Sequence, residues 1–457
     1  MKSKLLPFLL LIMGISYSQN SDGAFEINQR SNQRTPLTAQ QEDLIMQQVK
    51  LNVVKLQSTG VLKNIETTQQ RGTQLLLQWP LQSNDPAYRE TWIIYNYVDH
   101  DPNPSTVSDY NCGTRSFDGN EYTSIGLNPF GKYQNQSNTT SVNAATSGII
   151  TFKDVIHPET NCGETPGAFS NVIVIQNTDG TYALYVGIKE NTATTKIVGD
   201  AVSAGEFLGF LGNAGYSNAY PELFFKLLDT DANGNAVIDP FMGTCNPGVA
   251  TSWWAQQPAY VDSKVNTVFT HSDLPDFTTC PETTNFKEVF VKPDSVKMIG
   301  YFTDMIQGST INFKLQRPSG SIAVNSTPTL SNTYHEGYYQ FTKTTTTFNE
   351  TGTWIARFTY NGTTFEHQFF YDALLGTTSN DKLSGIKLFP NPASGLVSIE
   401  SEIEINYILL IDASGRIVLE LKKDDTKVID VAALSKGVYF IELHSDQGKT
   451  VRKIIKE

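Results

Sequence analysis

The chain has 457 residues, 39% of them hydrophobic and 18% charged, and it includes 25 Phe and 20 Tyr. That length holds about two to four domains with substantial cores, and low charge with abundant Thr, Asn and Gly suits a β-rich exported protein. A net charge of −12 excludes nucleic acid and anionic lipid as main partners, because no basic stripe exists to release counterions.

At the start, Lys2 and Lys4 precede the apolar run Leu5–Ile15, and Ser16, Tyr17 and Ser18 precede Gln19. A basic head, a short apolar core and small residues at the exit make Met1–Ser18 a secretory signal peptide. The run is too brief to span a bilayer, and no other stretch reads as transmembrane. Four cysteines follow in an exported chain, so disulfides are chemically permitted. The twin contexts Asn111-Cys112-Gly113 and Asn161-Cys162-Gly163 favour Cys112–Cys162, which leaves Cys245–Cys280.

Residues 19–79 read as a helix with spacers. Gln19–Thr35 is polar and expected to be disordered. Thr38 to about Leu56 reads as one helix, with Thr38 and Gln41 forming a capping box and Ile45, Val49 and Val53 recurring on one face. Gln74–Trp79 reads as a short strand. Residues 80–285 form the main domain, in which Ile149–Phe152, Val172–Gln176, Tyr182–Val186 and Phe224–Leu228 have the β-branched and aromatic character of strands, with Asn177–Gly180 as a hairpin loop. Asp229, Asp231 and Asn233 match the first half of a calcium loop. The match fails at Pro240, where a bidentate glutamate is required, and an Asn-Gly hairpin explains the segment equally well.

In 286–373 the period changes. Ile311, Phe313 and Leu315 alternate with polar residues, as do Trp354, Ala356, Phe358 and Tyr360, and Asn361-Gly362 turns the chain into Thr364–Phe370. This patterning predicts a β-sandwich of immunoglobulin-like type. Residues 374–385 form a Thr/Ser/Asn/Asp-rich linker, and 386–457 form a last small β-sandwich. The fold class expected is therefore mainly β, with one N-terminal helix.

Five fragments of the main domain carry a family pattern. They read F-D-G-N-E-Y-T-S-I from Phe117, Y-V-G-I-K from Tyr185, V-G-D-A-V-S-A-G-E-F-L-G from Val198, G-N-A-G from Gly212 and P-E-L-F-F from Pro221. In order and spacing, residues 92–245 resemble the lysostaphin/LytM-type zinc endopeptidases of peptidoglycan, which have D-G-H-x-G-T-D-I, Y-x-H-L and P-H-L-H-F at three of these blocks. The resemblance implies a small antiparallel sheet with a groove. It places the family's first histidine ligand at Asn120, its aspartate ligand at Ser124 and its last histidine ligand at Phe224. The two histidines that assist the attacking water fall on Gly187 and Glu222. Zinc takes imidazole, thiolate or carboxylate donors, so the resemblance implies a degenerate centre and no cofactor is expected. Asp118, Asn120, Glu121, Ser124, Gly187, Glu222 and Phe224 remain as groove-contact candidates, with Asp118, Glu121 and Glu222 as an acidic floor. Within the family an N-terminal segment can lie against the groove as an inhibitory strip; a plain packing element explains the helix here equally well.

The last segment reads K-L-F-P-N-P-A-S-G from Lys387, I-D-A-S-G-R from Ile411, L-S-K-G-V-Y-F-I-E-L from Leu434 and K-T-V-R-K-I-I-K from Lys449. It resembles the type A sorting domain of type IX secretion substrates. That resemblance implies contact with the secretion machinery and export through periplasm and outer membrane of a Gram-negative bacterium.

Of the six histidines, only His100, between Asp99 and Asp101, sits in a dense ligand-like cluster, and a solvated loop accounts for it. The reading is an exported pseudo-enzyme acting as a cell-wall or cell-surface binding or regulatory module, with a peptidoglycan peptide or a cell-wall hydrolase as partner. The alternatives are an active endopeptidase with carboxylate ligands and a structural or adhesive surface protein.

Overall fold

The structure is a computed structural model that describes residues 22–27, 35–62, 75–87, 91–159, 168–215, 220–231, 234–373, 385–412, 416–422, 427–445 and 448–457. The segment Met1–Ser18 expected to be a signal peptide, Cys162, Asn233 and nearly all of the expected 374–385 linker lie outside the described residues, as does the side chain of Asp231. The calcium expectation falls largely there, between antiparallel strands Glu222–Asp231 and Gly234–Ile238. No described helix is long and apolar enough to cross a membrane.

Helix α1 (Ala39–Ser58) begins where the capping box predicts. The Gln41 amide donates to Thr38 Oγ1 at 3.2 Å, and Thr38 N–H donates to Gln41 Oε1 at 2.9 Å, so two orphan donors of the first turn are satisfied reciprocally. Its buried face carries Ile45, Met46, Val49 and Leu56. The first three join Leu37 and one face of the main sheet in a single apolar cluster.

That sheet is antiparallel, in the order Trp92–Asn96, Thr123–Leu127, Glu222–Asp231, Tyr182–Val186, Val172–Asn177, Gly148–Asp154 and Ala201–Val202. Successive side chains of a strand point to opposite faces, and here both faces are covered. Ile125, Ile173, Ile175, Ala183, Tyr185, Leu223, Phe225 and Leu227 share a core with Leu81, Val142 and Leu208 of a three-stranded sheet formed by Leu81–Ser83, Thr140–Asn143 and Phe207–Phe210. Val172, Val174, Tyr182, Leu184, Val186, Phe224 and Leu228 face α1. This double cover is why Val172–Asn177 and Tyr182–Val186 are apolar runs without polar alternation, and every residue in both is buried.

The next unit packs two sheets. One orders Gly23–Glu26, Tyr334–Lys343, Val296–Met305 and Lys264–His271; the other orders Val289–Val291, Thr363–Asp372, Gly352–Tyr360, Asn312–Gln316 and Ile322–Ser326. The period-two reading of Trp354, Ala356, Phe358 and Tyr360 is realised, since all four are buried in the inter-sheet core. Asn361 and Gly362 both have positive φ, 42° and 79°, as a two-residue turn matched to the twist of a hairpin requires. Three expectations need correction. Gly23–Glu26, inside the segment expected to be disordered, adds an edge strand against Gly337–Gln340. Lys264–His271, placed before the expected boundary at 286, pairs with 297–303 and belongs to the sandwich. Around Leu77 there is only an isolated bridge to Trp254 rather than a strand.

The last unit packs Lys387–Phe389, Leu396–Glu400 and Val428–Asp430 against Ile417–Lys422, Tyr407–Asp412, Gly437–Ser445 and Gly448–Lys456, around a core that includes Val397, Leu410, Ile441 and Ile454.

The main domain and the sandwich are joined by buried polar and aromatic contacts. Phe130, at φ +55° just before the short helix α2 (Gly131–Gln136), sits fully buried with its ring 5.0 Å from Phe277 and 5.2 Å from Phe286 and Tyr301. Asp304 receives the Arg115 guanidinium at 2.6 Å, His335 Nδ1 at 2.7 Å and the Asp262 amide at 2.7 Å. Burial alone would raise the Asp304 carboxyl, yet the His335 hydrogen bond and the charges of His335 and Arg115 hold it below the usual carboxylate range.

The disulfide differs from the expected pairing. Cys112 is bonded to Cys245, with Cα atoms 5.1 Å apart and a sequence separation of 133. The cause is local. Buried Asp109 accepts the amides of Asn111, Gly113 and Arg115, and the Cys245 amide donates to Tyr110 O at 2.9 Å. The folded loop thereby presents Cys112 to the segment that follows strand 234–238. Cys280 is also disulfide-bonded.

Two outcomes follow. Replacing Cys112 and Cys245 together by Ala should lower stability by about 3–5 kcal/mol, read from urea unfolding under non-reducing conditions. Asp304→Asn keeps a residue type that tolerates φ 47° but removes the charge, and should cost about 3 kcal/mol. Because the folded Asp304 carboxyl is lowered, its contribution is present above the unfolded value of about 4 and is lost as pH falls through the folded value. The wild-type chain should therefore lose more stability than Asp304→Asn between pH 5 and pH 3, both figures being approximate titration limits (about one unit either side of that value).

Candidate functional site

Cross-strand register assembles the positions singled out from sequence. Phe224 lies directly opposite Ser124 on one neighbouring strand and opposite Val186 on the other. Glu222 lies opposite Gly126. Since directly opposed residues share a face, Ser124, Phe224, Val186 and Glu222 project to the same side, the side covered by α1.

Each side chain already has structural work there. Asn120 is buried, its Nδ2 donating to Tyr97 O at 2.6 Å and Tyr122 O at 2.8 Å, while its Oδ1 accepts the Tyr122 amide at 3.2 Å. Ser124 Oγ accepts from Asn96 Nδ2 at 3.1 Å. Phe224 is only 4% exposed and meets the Tyr122 ring edge-on at 6.3 Å. Gly187 has φ +110°, and a Cβ there would stand 2.2 Å from the Glu222 carbonyl oxygen. No side chain fits at 187 unless the backbone moves.

Beside Gly187 and Phe224, a small cleft of about 10 Å³ is also lined by Ser170, Asn213, Tyr220 and Glu222, room for roughly one water; Asn120 and Ser124 do not line it. Ser170, Asn213 and Tyr220 were not singled out from sequence; they arrive on loops, which periodicity does not place. Ser170 Oγ donates to Pro36 O at 2.7 Å, so the segment leading into α1 borders the cleft.

An acidic floor does not form. Asp118 is exposed and its Oδ2 accepts the Ser105 amide at 2.9 Å. The Glu121 side chain is 54% exposed and pairs with Lys226 at 2.5 Å. Glu222 is buried beside the cleft. The Asp99–His100–Asp101 cluster is not a free solvated loop either, because His100 Nε2 lies 2.8 Å from Oδ2 of buried Asp239. Burial raises the Asp239 carboxyl, opposed by its bond to His100. Among the described residues, no group of three or more His, Cys, Asp and Glu side chains is placed to hold a metal ion.

The same face carries a polar node that motif comparison misses. Lys226, two residues beyond Phe224, has a side chain 1% exposed and pairs with Glu42 of α1 as well as with Glu121. Tyr122, two residues before Ser124, donates to Glu42 Oε2 at 2.6 Å. Burial, then the charge of Glu42, pushes the Tyr122 hydroxyl well above its ordinary pKa. The signal was present as a lone lysine inside the otherwise apolar stretch Leu223–Leu228.

Residues 131–240 match the model of "Peptidase family M23" and residues 387–457 that of "Secretion system C-terminal sorting domain". The first match begins after Asn120 and Ser124; Ser124 is set opposite Phe224 by the register of strand 123–127. No curated protein matches the chain. Among solved structures, a catalytic-domain mutant of the prophage-encoded M23 protein EnpA from Enterococcus faecalis is 17% identical over 34% of this chain and 93% of its own, with a TM-score of 0.21. Dimeric latent PorU from Porphyromonas gingivalis is 12% identical over 68% of this chain and 34% of its own, with a TM-score of 0.17. The chain thus carries a LytM-type peptidase family M23 domain and ends in a type IX secretion sorting domain, which marks it for export to the surface or medium of a Gram-negative bacterium.

Proposed function

We propose that the M23 domain of this protein is non-catalytic and serves as an exported binding or regulatory module at the cell surface, its former substrate face closed by α1. The observation that carries this reading is Phe224. It stands where the family has its last zinc ligand, opposite Ser124, and its ring is packed into the cluster beneath α1.

A catalytic zinc needs three imidazole, thiolate or carboxylate ligands with one open position. An amide committed to backbone carbonyls, a hydroxyl and a phenyl ring do not fit it. Nor do the carboxylates offer a substitute centre, because Asp118, Glu121 and Glu222 are dispersed to a loop amide, an ammonium and the cleft. Without a Lewis acid to lower the pKa of water, and with no histidine at 187 or 222, the site lacks the means to activate a nucleophile on peptidoglycan. A centre filled by apolar volume disfavours gripping a cross-linked substrate peptide and favours contact with a protein such as a cell-wall hydrolase.

The protein purified from culture medium should contain far less than stoichiometric zinc by mass spectrometry and release no fragments from peptidoglycan. Stoichiometric zinc together with fragment release would overturn the proposal. Phe224→Ala should cost about 3–5 kcal/mol of stability in thermal unfolding, since that ring now works as core; a vestigial ligand position idle in the fold would change little.

A further inference from the structure

We propose that Lys226 and Tyr122 form a carboxylate-binding subsite on the covered face of the main sheet, filled in this chain by Glu42 of α1, and open to a carboxylate-bearing peptide when α1 lifts. The inference deepens the reading of this face as a binding surface and rests on it.

The geometry is that of a clamp on one carboxylate. Lys226 Nζ donates to Glu42 Oε1, and Tyr122 Oη donates to Glu42 Oε2 at 2.6 Å. Lys226 lies within strand 222–231 and Tyr122 immediately precedes its neighbour, strand 123–127; both donors are themselves buried, Lys226 at 2% and Tyr122 at 3% exposure. Lys226 Nζ also lies 4.9 Å from the centre of the Tyr122 ring, a cation–π contact that holds the ammonium over its partner. Both oxygens of a single acid are therefore engaged by charge-assisted bonds, the strong kind. A buried ammonium is costly without such pairing, so these positions are built around a carboxylate.

The acceptor does not belong to the sheet. Glu42 arrives on α1, which also bonds the domain through Gln41 Nε2 to Ala168 O at 3.3 Å and Asn52 Nδ2 to Thr151 O at 2.8 Å. The rest of its footing is apolar, Ile45, Met46 and Val49 over Leu184, Val186, Phe224 and Leu228. Glu121 precedes strand 123–127 and approaches Lys226 from the solvent side, with its side chain 54% exposed. When α1 lifts, Glu121 remains with the ammonium, while Lys226 and Tyr122 each lose one acceptor beside an uncovered apolar floor. The matching ligand is a peptide that sets a carboxylate next to apolar side chains, as α1 itself does.

The full secreted chain tests this in two arms. In Glu42→Ala, propionate should raise the melting temperature saturably, propionamide should not, and the wild-type protein should respond to neither. The response should weaken about tenfold when Lys226→Met is added, or Tyr122→Phe should that variant not fold, because ligand stabilisation tracks affinity by mass action. In the wild-type chain, a blocked Glu-Leu-Leu peptide should speed amide exchange across 39–58 about tenfold, and its Gln counterpart should not. Equal effects of propionate and propionamide, an equal response of the wild-type protein, or exchange of α1 unmoved by the acidic peptide would each overturn the proposal. Zinc measured in the same samples separates the two readings: a zinc-loaded Glu42→Ala protein would end the non-catalytic assignment and leave the propionate result standing.

Discussion

The placement of Phe224 between Ser124 and Val186 is the constraint on which the rest of this domain depends. Antiparallel pairing fixes which residues share a face, and a slip of one residue would exchange the two faces entirely. With the observed register, Leu223, Phe225 and Leu227 enter the core against the three-stranded sheet, and Glu222, Phe224, Lys226 and Leu228 turn towards α1. The first set packs against the three-stranded sheet, and the second set packs beneath α1, so both faces of the main sheet are core.

Closing that second face needs a partner of suitable shape and charge. Helix α1 provides Ile45, Met46 and Val49 for the apolar rows and Glu42 for the buried Lys226. The apolar contact contributes on the order of 25 cal/mol per Å² removed from water, without directional demand. The Glu42 clamp adds direction, fixing where along the sheet the helix sits. Gly187 completes the arrangement from the backbone side, since the approach of its strand to the Glu222 carbonyl leaves no space for a side chain.

The sandwich is coupled to the main domain through groups buried at their junction. Phe130 inserts into an aromatic cluster of the sandwich, and Asp304 collects Arg115 and His335. The sandwich is therefore not a loosely strung neighbour: the loop that carries the Cys112–Cys245 bond also carries Arg115, so disulfide, Asp109 turn and domain junction form one continuous network.

The sequence by itself determined the elements whose signal is local. The capping box at Thr38 and Gln41 fixed the start of α1, period-two rows fixed the sandwich strands, Asn361-Gly362 fixed a hairpin, and ordered motif fragments pointed to the peptidase family frame. Sequence periodicity carries no information on which element covers which face, because apolar residues on a helix and on a sheet complement each other without a code for partner. Only the tertiary structure decided that α1 covers this face of the main sheet, that Lys226 and Tyr122 meet Glu42, that 264–271 and 23–26 join the sandwich, and that Cys112 bonds Cys245 rather than its twin-context cysteine. Each of these joins residues distant in the chain, where proximity is set by packing and loop geometry and not by neighbouring residues.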